Sequence, residues 1–560
     1  MSKRPKVSEM TLEQKIGQMM GIGQVTLFEK IENGKRTYRS NSEVEELVKK
    51  YQYGAMWNSG GVKMLVVNLA ENDMKNKASI AGGKQLNDLI TKNLDIPMLI
   101  GMDCEQGLGT TFEEASITPM GFAVGAANSE ELAFELSAAI AREMKAVGAN
   151  WRWSPMVDVS NRFCGVSLNR QFSLDYDKLS RLSNAAFKGF QSENVGGTIK
   201  HFPGADPYEF RDSHYAPSQI DMSLEEWEET QAIPFKSAIE NGVQSIMVGH
   251  VAFPAVDDEM INGQYVPATA SEKILNGLLR EKLGFDGVAV TDAIGMGGLS
   301  AMFSYEEILI RTINAGNDII LGTQVDDTDI VVKAVKEGKI KESTIDKACE
   351  RILAMKEKLG LFEDGEKKTY DIREEAAKTK EISKKIAEKS INLLYDKNNM
   401  LPISKDKIKK VGIMFSSHSP NEAIDEVATM KKAFEERGAE VTVGADIAGA
   451  ELNKFVEDHD LIIYAALIEP HCPMGLPSLY GKKIHPYVGA FSVGAEKSIG
   501  MSMGYPFVHI DIMGGAKTFI NTYSKSAESQ EAFVKALYGE IEFCTEAPLD
   551  LDIKMRKVRC

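Results

Sequence analysis

Short, nearly unbroken apolar runs recur down to about residue 360, separated by segments with helical spacing, and most of them stop at an ionisable residue. IPMLIGM (96–102) runs into Asp103-Cys104-Glu105, and Val195 to Ile199 runs into Lys200-His201. Ser245 to Val248 runs into Gly249-His250, and GVAVT (287–291) runs into Asp292. Runs of this kind are strands buried on both faces, the condition of a parallel sheet covered by helices. A β/α barrel with its reactive groups on the carboxyl-end face has this pattern. A doubly wound open sheet shows the same alternation, but it gathers its site at one switch point. Here the polar strand ends are many and widely spread, so a (β/α)8 TIM-like barrel is the expected fold.

The rest of the chain is read in the same way. A helix is expected over Thr11 to Met20, and YGAMW (53–57) as a first buried strand. A helix over Glu130 to Val147 carries Leu132, Leu136, Ala139, Ile140 and Met144 on one stripe. Asn128 with Glu131 resembles a capping box before it, and Gly148 suits its end. WRWSPMVDV (151–159) and NDIIL (317–321) read as strands, and Ser223 with Glu226 opens a helix. Residues 363–390 are highly charged and read as a linker and connecting helix. Beyond them VGIMF, AEVTVG, DLIIYAAL and FVHIDIM read as strands of a smaller α/β sandwich. The expected division is therefore a barrel over 1–362, a linker over 363–390 and a second domain over 391–560, a length too great for a single core.

Composition limits the partners. Lys and Arg number 65 against 81 Asp and Glu, a net charge of −16, which argues against a nucleic-acid groove or an anionic membrane. No run of about 18 apolar residues suggests a membrane span. The N-terminal stretch is charged, without an apolar signal core, and the six cysteines show no CxxC spacing. A cytoplasmic protein without structural zinc or disulfides is expected. No phosphate-binding glycine loop or dinucleotide fingerprint is present, so neither a cofactor nor a metal is expected. The oligomeric state is left open.

Several residues could carry chemistry. Asp292 follows an apolar strand and precedes a glycine-rich turn; the alternative is a cap of the next helix. Asp212 and His214 are separated only by Ser213, close enough for the carboxylate to fix the imidazole tautomer, though a D-x-H in a surface loop is common. Lys200 and His201 are adjacent, so both reach one pocket only at a strand end. Asp103 and Arg170 are good hydroxyl binders, each unspecific alone. His250 reads as a site residue or a structural one.

In combination these motifs resemble glycoside hydrolase family 3, most closely its bacterial β-N-acetylglucosaminidase branch. The likeness rests on IGMDCEQG (100–107), LNRQFS with Arg170, IKHFPG with Lys200-His201, DSH with Asp212 and His214, and GFDGVAVTDAIGM with Asp292, in that order. The resemblance implies a barrel followed by an α/β sandwich. It implies Asp292 as nucleophile, His214 as acid/base polarised by Asp212, and Asp103, Arg170, Lys200 and His201 as sugar binders. It implies a retaining exo-β-glycosidase, of β-N-acetylhexosaminidase type, acting on a terminal β-linked sugar. The branch commonly reads KHFPGHGD, D-x-E-G-G and T-D-D-L-G-M; here the chain has KHFPGADPYEF, DCEQG and TDAIGM. Sugar preference, including the 2-acetamido group, is therefore open. A phosphorylase or β-glucosidase of the same family, and a catalytically silent sugar-binding protein, are the alternatives.

Overall fold

The computed structural model describes residues 4–58, 78–160, 164, 166–364, 368–418, 424–469, 478–488 and 490–551. Cys472 and Cys560 lie outside them. The chain forms two compact units. The first takes Met1–Ile117, Ala133–Val159 and Ser183–Thr379; the second takes Thr118–Leu132, Ser160–Leu182 and Lys380–Cys560. Two segments that precede residue 362 in sequence thus group with the second unit.

The first unit is the expected barrel. Its strands are β1 (Met20–Gly23), β2 (Ala55–Trp57), β3 (Leu99–Met102), β4 (Trp151–Arg152), β5 (Gly196–Phe202), β6 (Ser245–Val248), β7 (Val288–Thr291) and β8 (Ile320–Thr323). They pair in the order β7-β6-β5-β4-β3-β2-β1-β8, all parallel. A parallel bridge between Val290 and Ile319 closes β7 on β8. The period of two along β5 separates its faces. A Cβ at Gly197 would meet Phe187 of the helix Tyr176–Ser192, so Gly197 and Ile199 face the helices. Thr198 and Lys200 face inward. There the Trp151 indole N–H donates to Thr198 Oγ1 and Ser245 Oγ at 2.8 and 2.9 Å, so these three interior polar groups are paired.

Several local expectations need correction. MGIG (20–23), not YGAMW, is the first strand; it follows its helix (Leu12–Met19) without a turn, and its glycines hide the strand pattern. Gly21 is needed because a Cβ would lie 2.9 Å from the Ile320 carbonyl oxygen. The stretch from Trp151 is a strand only through Arg152, since Pro155 lacks the N–H that would continue the ladder. Asn128 does not cap the helix Glu130–Val147; it ends the preceding one with φ 45°, and Ser129 Oγ accepts the Leu132 N–H instead.

The second unit holds a six-stranded sheet. Its strands are β9 (Asn392–Asp396), β10 (Lys410–Ser417), β11 (Glu440–Ala445), β12 (Leu461–Leu467), β13 (Ser498–Ser502) and β14 (Thr518–Asn521), in the order β9-β14-β13-β12-β10-β11. Only the β9–β14 pair is antiparallel. Leu461, Ile463, Ala465 and Leu467 join one apolar cluster, and Ile462, Tyr464 and Ala466 join another. The sheet is thus buried on both faces. FVHIDIM is not a strand: Val508–Asp511 is one helical turn, in which Val508 is buried and Asp511 accepts the Tyr505 hydroxyl.

Candidate active site

Four strand ends converge at the mouth of the barrel. Asp292 follows β7, and its N–H donates to the Val248 carbonyl at the end of β6. The next helical turn, Gly297–Ser300, has Met296 at its N-cap, so Asp292 is not a helix cap. Its Oδ1 accepts the Ala293 N–H at 2.7 Å, and its Oδ2 lies 3.7 Å from His201 Nε2. Burial would push this carboxyl up. The His201 and His250 rings, the Ala293 amide and the Lys200 ammonium outweigh that, and the net shift is downward. Asp292 is therefore held as a carboxylate.

Lys200 and His201 reach the same site because the β5–β6 register slips. Lys200 pairs with Met247 and Phe202 with Val248, leaving His201 unpaired in the ladder. A bulge of this kind re-aims a side chain. Lys200 is 2% exposed and bridges Asp103 Oδ1 and Glu105 Oε1, both at 2.8 Å. Asp158 takes the His201 main-chain N–H on Oδ1 and faces Nδ1 with Oδ2, both at 2.7 Å. A carboxylate only accepts, so His201 carries its proton on Nδ1 and turns Nε2 toward Asp292.

His250 is structural. Its Nε2 lies 2.9 Å from the Ala293 carbonyl, which can only accept, so Nε2 bears the proton. Nδ1 accepts from the Thr269 hydroxyl at 2.9 Å. Burial holds its pKa below the ordinary value, against the opposing pull of the Asp292 carboxylate.

The Asp212–His214 loop is tied to the turn after Asp292. Gly297 N–H donates to the His214 carbonyl at 2.9 Å, and Gly298 N–H donates to the Ser213 carbonyl at 2.8 Å. The glycines permit this approach: a Cβ at Gly297 would lie 2.3 Å from the Tyr215 oxygen, and one at Gly298 would lie 2.8 Å from His250 Cβ. Asp212 Oδ1 accepts both the His214 main-chain N–H at 2.9 Å and its Nδ1–H at 2.6 Å. The imidazole is thereby oriented with Nε2 away from the carboxylate.

The structure gathers Asp103, Lys200, His201, Asp292 and the Asp212–His214 loop at this mouth. Arg170 belongs to the second unit, where its Nη1 donates to the Val166 carbonyl at 2.8 Å. Glu105 and Asp158 were not singled out from the sequence. Glu105 is two residues from Asp103, and Asp158 ends the apolar PMV run, the same sign that marks Asp292. No cluster fit for a metal ion occurs among the described residues.

The model of the glycosyl hydrolase family 3 N terminal domain matches residues 11–355. The chain belongs to glycosyl hydrolase family 3. It is a glycoside hydrolase. A beta-N-acetylglucosaminidase/beta-glucosidase of Cellulomonas fimi is 28% identical over 480 residues, 81% of this chain and 84% of that one. A beta-hexosaminidase of Methylobacillus flagellatus is 30% identical over 254 residues, 44% of this chain and 70% of its own. The structure of a family 3 beta-N-acetylglucosaminidase from Paenibacillus has a TM-score of 0.78 at 25% identity, covering 97% of this chain and 99% of that chain. A beta-glucoside phosphorylase, BglX, has a TM-score of 0.81 at 23% identity, covering 98% and 94%, and so shares the fold. The architecture of this family 3 hydrolase is the expected barrel with a smaller α/β sandwich. Among its described residues no helix is long and apolar enough to cross a membrane.

Proposed function

We propose that this enzyme is a retaining exo-β-glycosidase that releases terminal β-linked N-acetylglucosamine through a covalent bond between the sugar and Asp292. The reading rests on one arrangement: an ionised Asp292 at the barrel mouth, with the Asp212–His214 dyad hydrogen-bonded to the turn that follows it. The names of the relatives support the sugar. Asp292 attacks the anomeric carbon as His214, doubly protonated, gives its Nε2 proton to the leaving oxygen. The neutral imidazole then takes a proton from water, which displaces Asp292 and frees the sugar. Asp212 stabilises the imidazolium in the first step. Asp103 and His201 bind sugar hydroxyls, and Lys200 fixes Asp103. The free thiols of Cys104, Cys164, Cys349 and Cys544 suit a reducing compartment, so we assign its action to the cytoplasm.

Asp292→Ala should lower release from an aryl β-N-acetylglucosaminide by ~10³-fold or more. A slow 2-deoxy-2-fluoro glycoside should add one sugar mass to a peptide containing Asp292. Full activity in Asp292→Ala would end the reading. A neutral imidazole repels an anion less than a carboxylate would, so phosphate is a second acceptor to test. A sugar 1-phosphate made in phosphate buffer would mark a phosphorylase.

A further inference from the structure

The loop that carries the dyad also carries three exposed aromatic rings. Tyr208, Phe210 and Tyr215 are 73%, 67% and 63% exposed and fall within one eight-residue stretch. Isolated surface aromatics need no explanation, but three on the one loop that carries the dyad do. This loop is not slack. Asp206, nearly buried, accepts the Tyr208 N–H at 2.7 Å on one oxygen and the Asp221 N–H at 2.6 Å on the other. Glu209 accepts the Arg211 and Gln219 main-chain N–H groups at 2.9 and 3.2 Å and also takes the Arg211 guanidinium. The Trp227 indole N–H holds the Pro203 carbonyl at 2.7 Å. Tyr215 directly follows His214, and its carbonyl packs on Gly297. The rings are therefore presented on a loop already fixed, so a ligand that covers them need not order it first.

We infer that Tyr208, Phe210 and Tyr215 form a platform for the leaving-group half of the substrate, and that this half is a second pyranose ring. The inference rests on the function proposed above. An acid that protonates the leaving oxygen must lie against whatever that oxygen is attached to, and the rings are within four residues of His214 or of its partner Asp212. A pyranose offers a face of C–H groups to an aromatic ring and hydroxyls to its edges. Two of the rings are phenols, and the Arg211–Glu209 pair lies between Tyr208 and Tyr215 in the chain, so hydrogen-bonding groups fringe the apolar faces.

The test compares two substrates that deliver the same sugar: a β-linked N-acetylglucosamine disaccharide and methyl β-N-acetylglucosaminide. In Tyr208→Ala/Phe210→Ala the ratio of kcat/KM, disaccharide over methyl glycoside, should fall about tenfold, with Tyr215→Ala acting in the same direction. Phe210→Trp should restore the ratio. Phe134→Ala, at an exposed aromatic on the helix Glu130–Val147, should not move it. An unchanged ratio, or a parallel loss on both substrates, would overturn the inference. So would wild-type self-association that the double variant abolishes while the ratio holds, which would make the rings an interface between copies. Wild-type protein that turns over neither compound would instead end the proposed function. Calorimetric binding of the two compounds would then decide the platform, with equal affinities counting against it.

Discussion

Lys200 and Lys356 are both shut off from solvent in the barrel unit, at opposite ends of its strands. Lys200, at the mouth, is held by two carboxylates. Lys356 is on the helix Glu342–Lys358, and its one side-chain hydrogen bond among the described residues goes to the amide oxygen of Gln18 at 2.6 Å. Gln18 just precedes β1 and packs on Gly54 before β2, while Met355 reaches Gly196 at the start of β5, so this is the strand-entry end. Burial there pushes the Lys356 ammonium down to about 7, with no carboxylate hydrogen-bonded to it to restore its charge. The same side chain is thus ion-paired at the carboxyl-end mouth, where we place the substrate. At the far end it is a buried donor to Gln18 that holds its proton only about half the time near pH 7. Sites in barrels lie at the carboxyl-end face, and the opposite end serves stability.

The largest expected effect comes from removing the cation at the mouth. Lys200→Met leaves Asp103 and Glu105 facing one another with no charge between them. We expect kcat/KM on an aryl β-N-acetylglucosaminide to fall ~10³-fold. Because Asp103 stays 40% exposed, the stability loss should be modest, on the order of 2 kcal/mol by denaturant unfolding. Near-normal activity would mean that the mouth does not need this charge, and the contrast with Lys356 would lose its functional meaning.

How much of this was legible in the sequence follows from what each residue signals locally. Asp103, Lys200, His201 and Asp292 could be found because an ionisable group after an apolar strand is conspicuous. The barrel could be read from the same alternation. Asp158 was obscured because it falls inside WRWSPMVDV, which reads as one strand through Val159, whereas the strand stops at Arg152. Glu105 was obscured because its role is to share Lys200, a long-range contact with no spacing rule. β1 was hidden by its glycines, of which Gly21 answers the approach of Ile320, about 300 residues away. The grouping of 118–132 and 160–182 with the second unit leaves no local trace, because the described parts of those segments are helices and turns like their neighbours.

A smaller effect tests how the mouth sets one proton. Both atoms that His201 offers Asp158 are donors. Asp158→Asn has only one acceptor oxygen, so it can satisfy the main-chain N–H or the ring, but not both. The ring should then accept on Nδ1 and move its proton to Nε2, facing Asp292. We expect kcat/KM to fall about 10- to 100-fold, with the tautomer change visible in the imidazole nitrogen resonances. An unchanged tautomer with lowered activity would make Asp158 a packing residue only.

The smallest effect is at the other end and has no activity component. In the unfolded chain a lysine titrates near 10.4, whereas folded Lys356 gives up its proton near 7. Between those values the unfolded state binds the extra proton, so wild-type stability rises with pH across that window and the penalty is fully present below it. Lys356→Met removes the penalty. It also removes a hydrogen bond from Gln18, a loss of about 1 kcal/mol. The net gain at pH 7 should be on the order of 2 kcal/mol, shrinking toward zero or reversing as pH approaches 10. All four tryptophans, Trp57, Trp151, Trp153 and Trp227, are in the barrel unit, so intrinsic fluorescence follows that unit during denaturation of the whole chain. A gain that stays constant from pH 7 to 10 would show that Lys356 keeps its proton in the fold, and the two ends of the barrel would then treat their lysines alike.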